Sequence, residues 1–500
     1  MSPASQEKRL RVQGPRSSTG CRTCQQRHLK CDENRPECNR CLKSGKRCVP
    51  REQGATRPSF VLYTISKSPP HFPRVNAFVQ RSLHHYRVEV APAITFPFYS
   101  ELWSEVVFQM TEKYPFIMSA VTALSNMYEL YQQPHSARAS LQQASIHHYN
   151  QAISGIMSIS QNQDQDNTEA IVVSSVIFYA LDAMRGSWSN ALRHALSGMN
   201  IIEEFQMSDR SKKEPKLSKI MSILRREFAM FSYQTLEMGG LKNTKSYHSL
   251  RTFECPMPTK FTTAEDAFYH YQTLQNKVMN LMLRFKNPSR KGGLQDVIQS
   301  EEGQRAFTIH AAAVQDFIQA FTPLQVELMS NRIQDKPKRR AVAYMKMLHD
   351  ITIAAYSADH ELLNRSTFDA LEAFFVSNNA DHEFVRNKFA LYMMHLPIIL
   401  KYATQGSLEE QKNALALLKS GVITRREGVW TSRDAARIAE RVLDLKQKMP
   451  GCSIDVLEVD LFDSCRVRYL VRDIEGGKEK IFDDAVDLKS YPLSLGCGIG

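Results

Sequence analysis

The sequence predicts a mainly α-helical protein in two unequal parts: a small cysteine-rich module near the N-terminus and a large all-helical region, with a small β element at the C-terminal end. Three observations carry this. Six of the ten cysteines fall between Cys21 and Cys48 in a repeated C-x2-C-x6-C pattern. From about Asn76 onward, apolar residues recur at the helical period. Near the end, Ile454, Val456, Val459 and Leu461, then Val467, Tyr469 and Val471, follow a strand-like pattern. The divisions expected are a basic arm over 1–20, the cysteine module over 21–48, a linker over 49–75, the helical region over 76–450 and a tail over 451–500.

Length and composition bound the function classes. A chain of 500 residues exceeds one ordinary core. With 43% hydrophobic and 23% charged residues, most of it is expected to be globular. The longest apolar run, around Ala170 to Leu181, falls short of the ~18 to 20 residues that span a bilayer, so no membrane partner is expected. The N-terminal stretch MSPASQEKRLRVQG has charges where an export signal needs an apolar core. Thiols kept reduced inside the cell, when clustered, point to metal rather than to disulfides.

Charge is placed unevenly. Residues 1–60 hold fourteen Lys or Arg against five acids, a net of +9 out of +12 for the whole chain. Six thiolates on two Zn²⁺ would contribute −2, which leaves the segment cationic, as a polyphosphate-binding surface must be. The arm itself is polar, with Ser, Pro and Gly and the short basic run Lys8 to Arg11, and reads as a disordered segment.

Cys21, Cys24 and Cys31 form one half of the module, and Cys38, Cys41 and Cys48 repeat their spacing after six residues. A structural zinc takes four thiolate or imidazole ligands in a tetrahedron, so six cysteines serve two ions only if two are shared. Each C-x2-C closes a turn on metal and leads into residues free to form a short helix, which in the first half carries Gln25 to Lys30. The module is too small for an apolar core, and metal must supply its folding energy.

The segment from Gly20 through Cys48, including Arg27, Lys30, Cys31-Asp32-Glu33, Arg35-Pro36, Cys38, Cys41, Gly45 and Cys48, resembles the DNA-binding domain of fungal zinc-binuclear-cluster transcription factors. The resemblance implies two zinc ions per chain, with Cys21 and Cys38 bridging. It implies a CGG-type triplet read in the major groove of double-stranded DNA from the end of the first helix, where the matching positions are Arg27, His28 and Lys30. Arg and Lys suit that role because they donate to guanine O6 and N7. His28 departs from the Lys or Arg common at its position, and as a zinc ligand it is redundant beside six thiolates. Arg22, Arg40, Lys43, Lys46 and Arg47 are assigned to phosphates rather than bases. The family places such a chain in the nucleus, acting on RNA polymerase II genes with the transcription machinery. Its members often form homodimers through a coiled coil behind the cluster. Residues 49–75 contain five prolines and no sustained heptad, so they read as a linker without that device.

Helices follow in order. Ser100 is placed to cap one bearing Leu102, Trp103 and Val106. Pro115 precedes one bearing Phe116, Ala120, Ala123, Leu124 and Met127. Thr168 opens an apolar helix that Gly186 stops, and a second from Trp188 completes a hairpin. Thr262-x-x-Glu265 has the form of a capping box. Later helices centre on 307–321, 341–355, 389–402, 411–418 and 435–445. Ser82 to Arg87, Ala91-Pro92-Ala93, Arg185-Gly186, Ala191 to His194 and Glu427 to Trp430 resemble the helical regulatory region of the same family. In the tail, Glu475-Gly476-Gly477 reads as a turn.

No enzymatic constellation stands out, and none is expected. His84-His85 and His147-His148 are adjacent pairs that point to different sides of a helix. There is no Gly-rich phosphate loop, nucleophile elbow or zinc-protease helix. Asp455, Asp460 and Asp463 read as solvated acids, Cys255, Cys452, Cys465 and Cys497 as incidental thiols, and Lys212-Lys213 and Lys336 to Arg340 as exposed loops. Two competing classes are an interaction protein whose zinc module binds another protein and a metabolite-sensing regulator with a pocket among its helices.

Overall fold

The computed structural model describes residues 20–34, 36–49, 75–132, 138–160, 167–238, 256–285, 300–330, 332–356, 368–369, 371–374, 389–392, 395–420, 426–428, 430–460, 466–474 and 477–485. Most of the basic arm and linker, Cys255, Leu461, Asp463, Cys465, Glu475-Gly476 and Cys497 lie outside the described residues. The chain divides into two units, Met1–His71 and Phe72–Gly500.

The smaller unit contains two short helices, α1 (Arg22–Gln26) and α2 (Asn39–Lys43). The larger is helical over most of its described length. Its first part runs through α3 (Ala77–His85), a π-helical turn at Tyr86–Val90 and α4 (Ala91–Ile94). A second π-helical turn at Leu102–Val106 leads into α5 (Val107–Lys113). There the Ser100 hydroxyl accepts from the Trp103 N–H at 3.4 Å, as a capping serine should. The helices α6 (Pro115–Gln132) and α7 (Arg138–Ser160) come next. The five apolar positions expected on the first of these are all buried. No helix among the described residues is long and apolar enough to cross a membrane.

The expected hairpin forms from α8 (Thr168–Arg185) and α9 (Trp188–Met207). Gly186 ends α8 with φ +77°, a left-handed conformation that costs a glycine nothing. Helix α10 (Arg210–Lys213) and α11 (Pro215–Met238) follow. Three of these helices meet at Gly198 on α9. A Cβ there would collide with the Ser175 hydroxyl of α8 and stand 2.5 Å from the Phe228 ring of α11, so the close approach requires glycine.

Helix α12 (Ala264–Phe285) begins one residue later than the capping box implied. Thr263, not Thr262, caps it, its hydroxyl accepting from the Asp266 N–H at 3.1 Å. Glu265 instead accepts from the Tyr99 N–H. Helices α13 (Glu301–Met329) and α14 (Lys336–Tyr356) follow. The basic runs lie on helices, which corrects the loop reading. Lys212 and Lys213 are exposed on α10. Lys336 to Arg339 are exposed on the first turn of α14, and Arg340 is buried with its guanidinium 5.0 Å from the Phe96 ring centre.

In the stretch expected as helix over 389–402, the described residues 389–392 are not helical and the helix begins at Leu396. Ala390 instead forms a parallel bridge to Glu427, and α15 spans Leu396–Gln405. Helix α16 (Leu408–Lys419) starts with a true capping box, Ser407 with Glu410. A two-stranded ribbon, β1 (Arg426–Glu427) and β2 (Trp430–Thr431), precedes α17 (Ser432–Lys448). Arg426 donates to the carbonyls of Ala183 (2.7 Å) and Met184 (3.2 Å) at the C-terminus of α8. Glu427 accepts from the N–H groups of His395 and Leu396, both at 2.9 Å, where α15 begins. Adjacent residues thus satisfy one helix's last carbonyls and another's first amides.

The tail forms an antiparallel sheet in the order β3 (Cys452–Asp460), β4 (Arg466–Asp473) and β5 (Glu479–Ala485). The apolar pattern changes parity between Val456 and Val459. A bulge between Val456 and Glu458 supplies the odd residue, so Val459 pairs with Val467 just as Val456 pairs with Tyr469. Ile454, Val467, Tyr469 and Val471 close the C-terminal side of the core that begins at Val79.

The Gly198 crossing yields a stability prediction. Gly198→Ala should lower the unfolding free energy of the large unit by about 1–3 kcal/mol through overpacking, against a helix-propensity gain of about 1 kcal/mol. A denaturant titration of the full chain followed by circular dichroism checks this, and an unchanged or raised midpoint would contradict the crossing as described.

Candidate metal centre and nucleic-acid interface

The two halves of the cysteine module repeat one another in detail. Cys21 and Cys38 occupy the N-caps of α1 and α2 with extended backbones, φ −61° and −73°. Each sulfur accepts from the N–H three residues on, Cys24 and Cys41, at 3.4 Å. The third cysteine of each half accepts from the first one's backbone N–H, Cys31 from Cys21 and Cys48 from Cys38, again at 3.4 Å. Each short helix ends on a residue near φ −90° to −100°, Arg27 or Ser44, followed by a left-handed residue: His28 at φ +55° or Gly45 at φ +62°.

All six sulfurs converge. Cys21, Cys24, Cys31 and Cys38 form one tetrad and Cys21, Cys38, Cys41 and Cys48 a second, with the ligand atoms of each within 4.8 Å of one another. Among the described residues no other group of His, Cys, Asp or Glu is arranged to hold a metal ion in this way. The sulfurs of Cys21 and Cys38, common to both tetrads, are 3.7 Å apart; Cys24 to Cys38 is 3.6 Å and Cys21 to Cys41 is 3.7 Å. None of the six is in a disulfide. Four sulfurs at ~2.3 Å from a tetrahedral zinc lie about 3.8 Å from each other. The spacing therefore fits zinc, and five of the six sulfurs belong to buried residues, with Cys48 half-buried.

Protonation separates the shared cysteines from the rest. Burial opposes ionisation of Cys21, but the Cys24 N–H and the neighbouring thiols outweigh it and hold its pKa at about 6. Cys38 is likewise held below the ordinary thiol value despite burial, chiefly by the Cys41 N–H and thiol. Burial pushes Cys24 up to about 12 and Cys41 higher still. The two sulfurs common to both tetrads each sit at a helix N-terminus, where N–H donors favour the thiolate.

Hydrogen bonds close the module's ends. The Thr23 hydroxyl donates to the Arg47 carbonyl at 2.9 Å and accepts from the Val49 N–H at 3.1 Å, and the Arg22 N–H donates to the Val49 carbonyl at 3.0 Å. Asp32 accepts from the Asn39 and Arg40 N–H groups at the start of α2. Among the residues proposed to meet DNA, Arg22, His28, Lys30, Arg40, Lys43, Lys46 and Arg47 are exposed. Arg27 is half-buried and donates from Nη1 to the Ser44 hydroxyl at 2.7 Å. Sequence reasoning missed Thr23 and Ser44; neither carries a motif signal, since Thr23's partners Arg47 and Val49, and the Arg27 that donates to Ser44, come from the opposite half. Thr23→Val should leave the metal ligands intact yet unmake two bonds. Chelator competition should then strip zinc from the full chain with an apparent affinity lowered by about 30-fold, from about 1 kcal/mol for each of the two bonds lost; an unchanged midpoint would deny the closure a role.

Residues 19–57 match the fungal Zn(2)-Cys(6) binuclear cluster domain, and residues 81–284 match the fungal specific transcription factor domain. The aspercryptin biosynthesis cluster-specific transcription regulator atnN of Emericella nidulans is 26% identical over 301 residues, covering 54% of this chain and 48% of that protein. The Zn(2)-C6 fungal-type transcription factor afumD of Aspergillus fumigatus is 32% identical over 133 residues, 24% of this chain and 36% of that one. The transcription activator AMTR1 of Alternaria alternata is 57% identical over 35 residues, 7% of this chain and 4% of its own. The chain thus spans about half or less of the length of these curated relatives. No solved structure matches it. The matched cluster domain binds two zinc ions, and two overlapping tetrads of cysteine sulfur provide for them. The chain thus carries, in sequence order, a fungal Zn(2)-Cys(6) binuclear cluster domain with the sulfur geometry that domain demands and a match to the fungal specific transcription factor domain, and it is similar over parts of its length to fungal Zn(2)-C6 transcription factors.

Proposed function

We propose that this chain is a nuclear, sequence-specific DNA-binding regulator of RNA polymerase II transcription, that it reads a CGG-like triplet in the major groove, and that it performs no catalysis. The observation that carries the reading is the juxtaposition of two sulfur tetrads with an exposed basic corner at the end of α1. Zinc supplies the folding energy that an apolar core supplies elsewhere. The residues do the rest. Cys21 and Cys38 bridge the two ions, which their membership of both tetrads supports. Arg27, His28 and Lys30 face base edges, while Arg22, Arg40, Lys43, Lys46 and Arg47 meet phosphates. The helical region, with its match over residues 81–284, supplies regulation and contact with the transcription machinery.

Bridging makes the cysteines unequal. Cys21→Ala and Cys38→Ala should each lose both ions, whereas Cys24→Ala leaves the tetrad of Cys21, Cys38, Cys41 and Cys48 and should retain about one. Zinc per chain by elemental analysis decides this; two ions retained by Cys21→Ala would refute bridging.

Random-oligonucleotide selection with the zinc-loaded full chain tests the function itself, and an enriched CGG-like triplet is the expected result. One copy or two in the selected sites also reports whether a homodimer binds. An unenriched pool would favour the interaction-protein reading instead. On the selected site, Arg27→Ala should cut the preference for matched over mismatched DNA by about 5- to 100-fold, the worth of one bidentate base contact. Arg47→Ala should weaken all sequences about equally and lower the salt slope by about one. Equal losses on matched and scrambled sites for both variants would overturn the division of roles.

A further inference from the structure

The base-reading arginine does not stand alone. Arg27 ends α1 in the first half of the module, and its Nη1 donates across to Ser44, which ends α2 in the second half, at 2.7 Å. The Ser44 hydroxyl is itself oriented. Its hydrogen is directed to the carbonyls of Arg40 (2.8 Å) and Cys41 (3.1 Å), one helical turn back, so a lone pair is left to receive the guanidinium. Ser44 and Arg27 occupy equivalent positions in the two halves. The contact therefore joins the end of one repeat to the end of the other.

We infer that Ser44 is a positioning residue for base readout: by holding Nη1 of Arg27 it leaves the Nε and Nη2 edge of the guanidinium for guanine O6 and N7. The inference rests on the assignment of Arg27 to bases in the preceding section. Its physical basis is the freedom of an arginine side chain, which an unrestrained residue must lose on binding DNA. A side chain immobilised beforehand loses less, and the planar fork turns one fixed nitrogen into a fixed plane. The backbone beside it is also set, because His28 adopts the left-handed conformation immediately after Arg27. Restraint of Arg27 favours one orientation toward the base edge. It should thus raise discrimination between base pairs more than affinity for DNA in general.

The test compares wild type, Ser44→Ala, Ser44→Thr, Arg27→Ala and the Arg27→Ala/Ser44→Ala double variant, all as zinc-loaded full chains. Each is measured on the selected site, on sites with single base pairs of the triplet changed and on scrambled DNA, with zinc per chain determined in parallel. Ser44→Ala should reduce the matched-to-mismatched affinity ratio by about 2- to 10-fold, the value of one side chain's ordering. The loss should fall at the same base pair as for Arg27→Ala, with two zinc ions retained and scrambled binding unchanged. Ser44→Thr, which keeps the hydroxyl, should restore the ratio, and the double variant should equal Arg27→Ala alone. If Arg27→Ala relaxes discrimination while Ser44→Ala leaves it intact, the positioning role is wrong and the base-reading role stands. If Ser44→Ala lowers zinc content, or weakens all DNA alike, the contact is a strut and the inference fails. If Arg27→Ala itself leaves the ratio unchanged, the underlying assignment falls as well.

Discussion

Six sulfurs held within a few ångströms of one another are the constraint on which the N-terminal unit depends. Separations of 3.6–3.7 Å between tetrad members are far longer than an S–S bond, and thiolates so close repel one another. Without a cation the sulfurs cannot all ionise: burial drives Cys24 up to about 12 while Cys21 is held at about 6. A pair of divalent ions removes the conflict, because each converts four mutually repelling groups into ligands of one centre. Among the described residues the buried cysteines are the unit's own cluster, with Cys48 packed against them and no larger apolar side chain among them. The two helix N-caps, the N–H to sulfur bonds and the closure by Thr23 keep the sulfurs in that arrangement.

The larger unit solves a different problem by a related device. Its core is apolar and continuous from Val79 to Val471, but buried helix ends still carry unsatisfied amides and carbonyls. Charged residues placed at those ends provide partners. Arg426 serves the end of α8 and stacks near Trp188 and Phe389, at 5.4 and 5.9 Å from the ring centres. Glu427 serves the start of α15 and pairs with His395 at 2.5 Å. Glu227, buried within α11 rather than at a helix end, has its pKa raised by desolvation although the side chains of Tyr392, Trp103 and Ser100 all donate to it. These contacts give physical content to Arg185-Gly186 and Glu427 to Trp430, segments legible in the sequence only as resemblances. Gly186 must turn where α8 ends, and Arg426 caps that same end.

What the sequence disclosed follows the range over which its signals act. The cysteine repeat, the helix stop at Gly186 and the helical period of α6 are local signals, and each is legible in the sequence. The start of α12 was missed by one residue because Thr262 and Thr263 are adjacent and only packing chooses between them; Glu265, the expected capping partner, is drawn off to the Tyr99 N–H. Phe389 to Tyr392 looked helical from their apolarity, but Ala390 exchanges backbone hydrogen bonds with the ribbon at Arg426 and Gly428. β5 was invisible because its residues are largely exposed and charged, so that its pairing with β4 leaves no apolar alternation to detect. The cross-half partners of Thr23 and Arg27 lie some twenty residues away in the chain, beyond any periodicity.

The two halves of the module also differ where equivalence would be simplest. Both need a left-handed residue after the helix end, and the second half uses Gly45, around which a side chain would meet nothing within 4 Å. The first half places His28 there, a residue that pays a conformational cost glycine does not. Histidine is among the side chains that tolerate this region best, yet glycine would be more favourable for folding alone. The side chain retained against that preference is exposed beside Arg27, at the corner where a base edge would have to be met. The same asymmetry assigns the other corner a different task. Ser44 gives its hydroxyl to Arg27, and Gly45 adds no side chain beside it. A duplicated fold thus presents two unequal corners, one bearing Arg27 and His28 and the other supplying the oxygen that holds Arg27 in place.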